Sequence, residues 1–257
     1  MKKQQWLTVL IGALVLIAGI VLVAFTRAAA IAESATAPQK MSFAVSLILA
    51  LLGLILVIAG LVPERRKTDV RTLATAAMFA ALCYVGFAVL RIDIPVGTEK
   101  TAFHLGNVFC VLGALFLGGF WGGMAGAVGM TIADLTTAYV TSAPKTLLLK
   151  QSFGLTTGLV ALKVCPLSVD SRRKTPLPVA TVLSCAAGLA FNVVADPLTG
   201  YFYKRYLLGV PQEIATIWAK MGALTTLVNA VIAIIAATVL YLALRPALKR
   251  TGLYRTL

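Results

Sequence analysis

Nine polar side chains stand inside, or at the ends of, otherwise apolar runs of the chain: His104, Asn107, Asp134, Lys145, Lys150, Gln151, Asn192, Asp196 and Lys220. Side chains of these types can hydrogen-bond a polar ligand, carry a proton, or pair across a helix bundle. In a lipid-embedded segment each is costly, so an intramembrane carboxylate or lysine reads first as a functional site. Taken singly, each has a plainer role. Lys150 can run its four-carbon stem out to water, and asparagines such as Asn192 and Asn229 commonly tie helices together. Taken together they come from five apolar segments and fall at one depth. That pattern points to a polar pocket at one end of a bundle.

The stretch Ala143-Pro144-Lys145-Thr146 reads as a helix start, where proline is tolerated because its missing N–H would be unpaired anyway. Free N–H groups at such an N-terminus favour an anion. With Lys145 and Lys150 nearby, the pocket suits an anionic or electron-rich substrate. Catalytic chemistry finds no support: the sequence has no GxxxxGK[ST] phosphate loop, no HExxH and no GxSxG. A single histidine excludes a multi-histidine metal site, and Cys83, Cys110, Cys165 and Cys185 form no CxxC pair. No catalytic residue, metal or cofactor is assigned. A channel needs a polar path through the whole bilayer, and the half of each segment away from the polar cluster is nearly all Leu, Val, Ala and Gly.

The elements that must position these residues follow from hydropathy. The 257-residue chain is 60% hydrophobic and 12% charged, whereas soluble domains are about half apolar and a quarter charged. It reads as an integral membrane protein. Apolar runs of spanning length lie near 6–26, 42–62, 72–90, 104–118, 121–140, 146–165, 178–200 and 217–244. The first run, about 20 residues behind Lys2 and Lys3, fits a retained spanning helix better than a signal peptide. Between His104 and Leu135, glycines recur four apart (Gly118, Gly122, Gly126; Gly119, Gly123), the spacing that lets two helix backbones approach closely in lipid.

The net charge of +14 comes from basic clusters beside helix ends: Lys2–Lys3, Glu64–Arg71, Ser171–Lys174 and Arg245–Arg250. Positive-inside topology accounts for them, with both termini cytoplasmic and no nucleic-acid partner. The polar pocket then opens outward. The segment from Arg91 to Thr101, with Pro95 and Gly97, reads as an outer turn-containing loop, a candidate lid. Two units result: residues 1–70, a two-helix transmembrane hairpin with a basic linker, and 71–257, a six-helix unit with a basic tail.

Three stretches of the second unit resemble the substrate-binding (S) component of energy-coupling factor (ECF) vitamin transporters. They are LATAAMFAALCYVG, IPVG followed by LGNVFCVLGALFLGG, and GGMAGAVGMTIADL running to SAPKTLLLKQSFGLTTGLVA. The resemblance implies an all-α membrane protein of the plasma membrane. It implies binding of a vitamin or precursor from outside, and partnership with a transmembrane coupling subunit and two ABC-type ATPases. Ala76, Ala77, Ala80 and Ala81 would be the docking motif for the coupling subunit. The alternatives are a stand-alone proton-coupled transporter working through Asp134 or Asp196, and a membrane scaffold with no small ligand. Flavin, pyridoxine-like, hydroxymethylpyrimidine-like and pantothenate-like cargo all stay open, with Tyr139, Tyr201 and Trp218 as candidate stacking partners.

Overall fold

The computed structural model describes residues 3–31, 69–97, 99–167 and 173–250, with scattered positions between 36 and 57. Helix α1 (Lys3–Ile31) precedes the core, and its Val23 packs in a small cluster with Tyr201, Phe202 and Tyr206. The described positions 42, 45–46, 49–50, 52–53 and 56–57 are helical, and they run antiparallel to it. Gly12 lies against residues 56–57, Gly19 against Ala50, and Gly53 against Leu16. Small residues at these crossings let the two backbones meet. Most of the basic stretch 64–71 lies outside the described residues.

Among the described residues the core contains six helices: α2 (Val70–Ala88), α3 (Gly106–Leu117), α4 (Gly119–Leu135), α5 (Ala143–Leu159), α6 (Leu177–Phe202) and α7 (Gln212–Arg250). α5 and α6 each run on into a π-turn, Val160–Val164 and Tyr203–Leu207. Asp69 caps α2, its carboxylate accepting from the Thr72 N–H at 2.8 Å. Among the described residues four helical segments are long and apolar enough to cross a bilayer: Trp6–Thr26, Val70–Ala88, Leu177–Leu207 and Gln212–Arg250. α3, α4 and α5 have 12, 17 and 17 residues. α3 is buried at every position except Phe109, as expected of a helix that is apolar all round and sits at the centre.

One residue joins α3 to α4. Gly118 has φ +87°, a conformation that a side chain disfavours, and the two helices fold back on each other directly from it. The glycines then form the seam. A methyl group at Gly122 would overlap the Gly113–Ala114 backbone, and one at Gly126 would press on the Cys110 thiol. On the α5 side, Gly154 meets Gly123 and Gly158 meets Gly119. This is the small-residue packing read from the spacing. The expected helix 121–140, however, ends at Leu135, and the chain passes through a turn and a 3₁₀ segment (Val140–Ser142) into α5.

Two further expectations change. The Arg91–Thr101 loop is an ordered antiparallel hairpin, β1 (Arg91–Val96) and β2 (Glu99–His104), with Arg91 opposite His104 and Gly97 (φ +62°) in the turn. His104 therefore closes β2 and does not begin a helix. The Arg245–Arg250 segment is not a separate tail: α7 continues to Arg250, and buried Arg245 donates from Nη2 to the Leu167 carbonyl at 2.9 Å.

Candidate ligand-binding site

The hairpin end of the core holds a cavity of about 150 Å³. Each wall is placed by a different element. α2 contributes Phe87, α4 contributes Met130 and Asp134, and α5 contributes Lys145, Thr146 and Lys150. α6 contributes Asp196 and Pro197, and α7 contributes Trp218, Thr226 and Asn229. The hairpin covers them with Val96, Glu99 and His104.

The polar groups pair across helices that are distant in sequence. Lys145 at the start of α5 forms an ion pair with Asp196 of α6 at 2.6 Å, and Thr226 of α7 donates to the other Asp196 oxygen at 3.1 Å. Lys150, five residues further along α5, is 7% exposed. Its ammonium donates to Asn107 Oδ1 at 2.9 Å and Asn192 Oδ1 at 3.2 Å. Asn107 and Asn192 do not line the cavity themselves; they hold the lysine that does.

The hairpin is tied down at three points. Asn229 accepts from the His104 N–H at 3.1 Å and donates to the Ala102 carbonyl at 2.9 Å, fastening β2 to α7. Trp218 donates from its indole to the Val96 carbonyl at 2.9 Å. Lys204, on the π-turn after α6, pairs with Glu99 and lies 4.3 Å from the centre of the Trp218 ring, a cation–π contact.

Two polar atoms at the cavity have no hydrogen-bond partner among the described residues: Asp134 Oδ2 and His104 Nδ1. Buried polar atoms usually find a partner, so these two are candidate contacts for a ligand in the cavity. His104 lies in the hairpin, and burial, reinforced by the Lys150 charge, pushes its pKa down to about 3. The imidazole is therefore neutral at physiological pH, able to accept at one nitrogen and donate at the other.

Of the nine residues singled out by sequence, His104, Asp134, Lys145, Lys150 and Asp196 line the cavity, and Asn107 and Asn192 brace it. Gln151 is buried against Gly123 and faces away from the cavity. Lys220 is exposed and lies outside it, although its neighbours Ala219 and Met221 are in the wall; a step of one residue turns a helical side chain by about 100°. Tyr139 and Trp218 line the cavity, whereas Tyr201 packs on Phe202 beside Val23 of α1. Sequence reasoning passes over Phe87, Met130 and Thr226, which look like ordinary core residues. The Thr225-Thr226-x-x-Asn229 spacing, one turn of α7, is the signal that marks that face. Among the alanines, Ala76 is buried and Ala80 half-buried against Gly129 of α4, while Ala77 and Ala81 are exposed.

The described core is thus a helical membrane bundle with a polar cavity beneath a short hairpin. Residues 67–246 match the family of ECF-type riboflavin transporter S components, and the chain belongs to that family. It is a family of transporter components, not of enzymes. No curated protein and no solved structure matches the chain.

Proposed function

We propose that the chain captures a riboflavin-type vitamin in the cavity and hands it inward through a coupling subunit and two ABC-type ATPases. The family match over residues 67–246 carries this reading. The cavity is consistent with it: Phe87, Tyr139 and Trp218 offer ring surfaces to a flat aromatic ligand, and Lys150, His104 and Asp134 offer donors and acceptors to its polar edge. In this reading the hairpin end faces outward and both termini are cytoplasmic in the plasma membrane. Residues 1–70 form an added hairpin beside the transport core. Titration of the purified chain with riboflavin should quench the flavin's fluorescence to saturation at one equivalent. Saturable binding of pyridoxine or pantothenate, without riboflavin binding, would overturn the substrate assignment. Uptake by this chain alone that an uncoupler abolishes would make it a secondary transporter instead.

Docking of the coupling subunit belongs on the exposed side of α2. Ala77→Trp with Ala81→Trp should abolish co-purification of the coupling subunit and leave riboflavin binding within about twofold, since neither residue is near the cavity. Ala76→Trp should instead lower the melting temperature of the isolated chain, because Ala76 is 6% exposed and overpacking costs about 1–3 kcal/mol. Retained complex formation in the Ala77/Ala81 double variant would move the interface to another helix.

The His104 shift fixes a pH dependence. With a folded pKa of about 3 and an ordinary value of about 6.5, the unfolded chain takes up a proton between those values and the folded chain does not. Stability contributed by neutral His104 is thus complete above pH 6.5 and falls as the pH drops towards 3. Riboflavin affinity measured from pH 8 to pH 5 should show no inflection that His104→Gln removes. Such an inflection near 6.5 would mean that the imidazole titrates in the folded protein.

A further inference from the structure

Behind the aromatic wall of the cavity lies an ion pair that the cavity itself does not reach. Arg91 and Asp93 are two residues apart in β1 and so share one face of the hairpin. One oxygen of Asp93, Oδ1, takes two bonds: it accepts from the Tyr139 hydroxyl at 3.0 Å and lies 3.2 Å from Arg91 Nε. The Arg91 guanidinium then stands 5.5 Å from the centre of the Tyr139 ring and 6.0 Å from that of Phe87. Those two rings meet edge to face at 5.4 Å, and Phe87 meets His104 in the same way at 4.7 Å. Tyr139, Phe87 and His104 all line the cavity.

Tyr139 needs this support more than its neighbours do. Phe87 is carried by α2 and His104 by β2, each held in a backbone ladder. Tyr139 sits on the four-residue turn 136–139 that follows α4, where no ladder fixes the ring. Its phenol is a polar tip on the aromatic wall, and Asp93 holds it from the side away from the cavity. Burial first, and the Asp93 carboxylate next, push the phenol's pKa above its ordinary value. This keeps it a hydrogen-bond donor to that carboxylate.

We propose that Asp93, clamped by Arg91, is a positioning residue: it sets the Tyr139 ring, and through it the plane in which the flat part of the ligand lies. The ligand half of this proposal rests on the riboflavin reading. An ion pair on a surface strand contributes little to stability by itself, so the role of this one is orientation of the ring it grips.

The test uses the full chain in detergent with riboflavin as probe, in wild type, Asp93→Ala, Tyr139→Phe and the double variant. Each single change should weaken riboflavin binding by about 5- to 10-fold, the worth of one hydrogen bond. The double variant should lose no more than the worse single, because both remove the same bond. The visible absorption band of bound flavin should move towards that of free flavin in all three. Additive losses, or weaker binding with an unchanged bound spectrum, would overturn the proposal in favour of a purely structural tie. A second arm needs no ligand. Nitration of Tyr139 by tetranitromethane, followed by mass spectrometry, should rise several-fold in Asp93→Ala. Equal nitration in wild type and variant would overturn the clamp whatever riboflavin does. Failure of wild type to bind riboflavin, with raised nitration in the variant, would sink the substrate assignment and leave the clamp standing.

Discussion

Replacing Lys150 with methionine should weaken riboflavin binding by about 10- to 100-fold while leaving the ligand-free protein as stable as before, or more so. Lys150 lies at the cavity with its ammonium bonded to two neutral amide oxygens, those of Asn107 and Asn192, and 5.8 Å from the Phe153 ring. Among the described residues no carboxylate touches it. Removing a charge from water costs several kcal/mol even after relaxation, and two amide bonds do not recover all of that. A buried cation kept on such terms is not there to hold the fold. An ammonium has three N–H donors; two are engaged, and the third is available to a ligand. A hydrogen bond from a charged donor is worth about 1.5–3 kcal/mol, which is the expected fold-change. Calorimetry with riboflavin and thermal unfolding without it separate the two effects. A Lys150→Met protein that fails to fold would show that the lysine is structural, and unchanged affinity would show that the ligand does not reach it.

The second large effect falls on the fold. Gly122→Val should abolish the folded state in detergent, whereas the same change at Gly222 of α7 should be close to neutral. At Gly122 an added Cβ would coincide with the backbone of Gly113 and Ala114, while at Gly222 nothing lies within 4 Å. Overpacking ordinarily costs about 1–3 kcal/mol because side chains give way. Here the obstacle is main chain on the opposing helix, and α3 has no room to retreat, being enclosed by α2, α4, α5 and α7. Close backbone approach is also the main source of helix association in lipid, so the substitution removes the attraction as well as adding the clash. Size-exclusion profiles of the two variants decide the matter; a monodisperse Gly122→Val protein would mean that the α3–α4 seam can open.

Much of the site is legible in the sequence because a polar side chain in an apolar run stands out. His104, Asp134, Lys145, Lys150 and Asp196 announce themselves by cost alone. Their pairing is not legible: Lys145 and Asp196 are 51 residues apart, and nothing local says that they meet. Lys220 illustrates the limit, since depth along a helix can be read from position but direction around it cannot when both faces are apolar. The same ambiguity covers Ala76 and Ala77, equally small, the first buried and the second exposed. The hairpin escapes notice as a pair of strands because RIDIPV and EKTAFH are six residues each, too short for alternation to be distinguished from an irregular loop. Its proline and glycine mark a turn and no more. The glycine seam is the clearest success, because a four-residue spacing of glycines in an apolar stretch has few other physical reasons to exist.

The shortness of α3 bears on how, in the proposed reading, a ligand would leave. At 12 residues it is about 18 Å long, little more than half the depth of a hydrocarbon core, and below it the chain does not continue the cavity. Phe116 packs against Tyr241 at 4.9 Å and against Phe79 at 6.2 Å. Leu167, its carbonyl held by Arg245, fills the space beneath. Opening a passage there would strand a buried guanidinium and break a close-packed aromatic stack. Among the described residues the core is thus closed at its base, and in the proposed reading a ligand would leave by the hairpin end through which it entered.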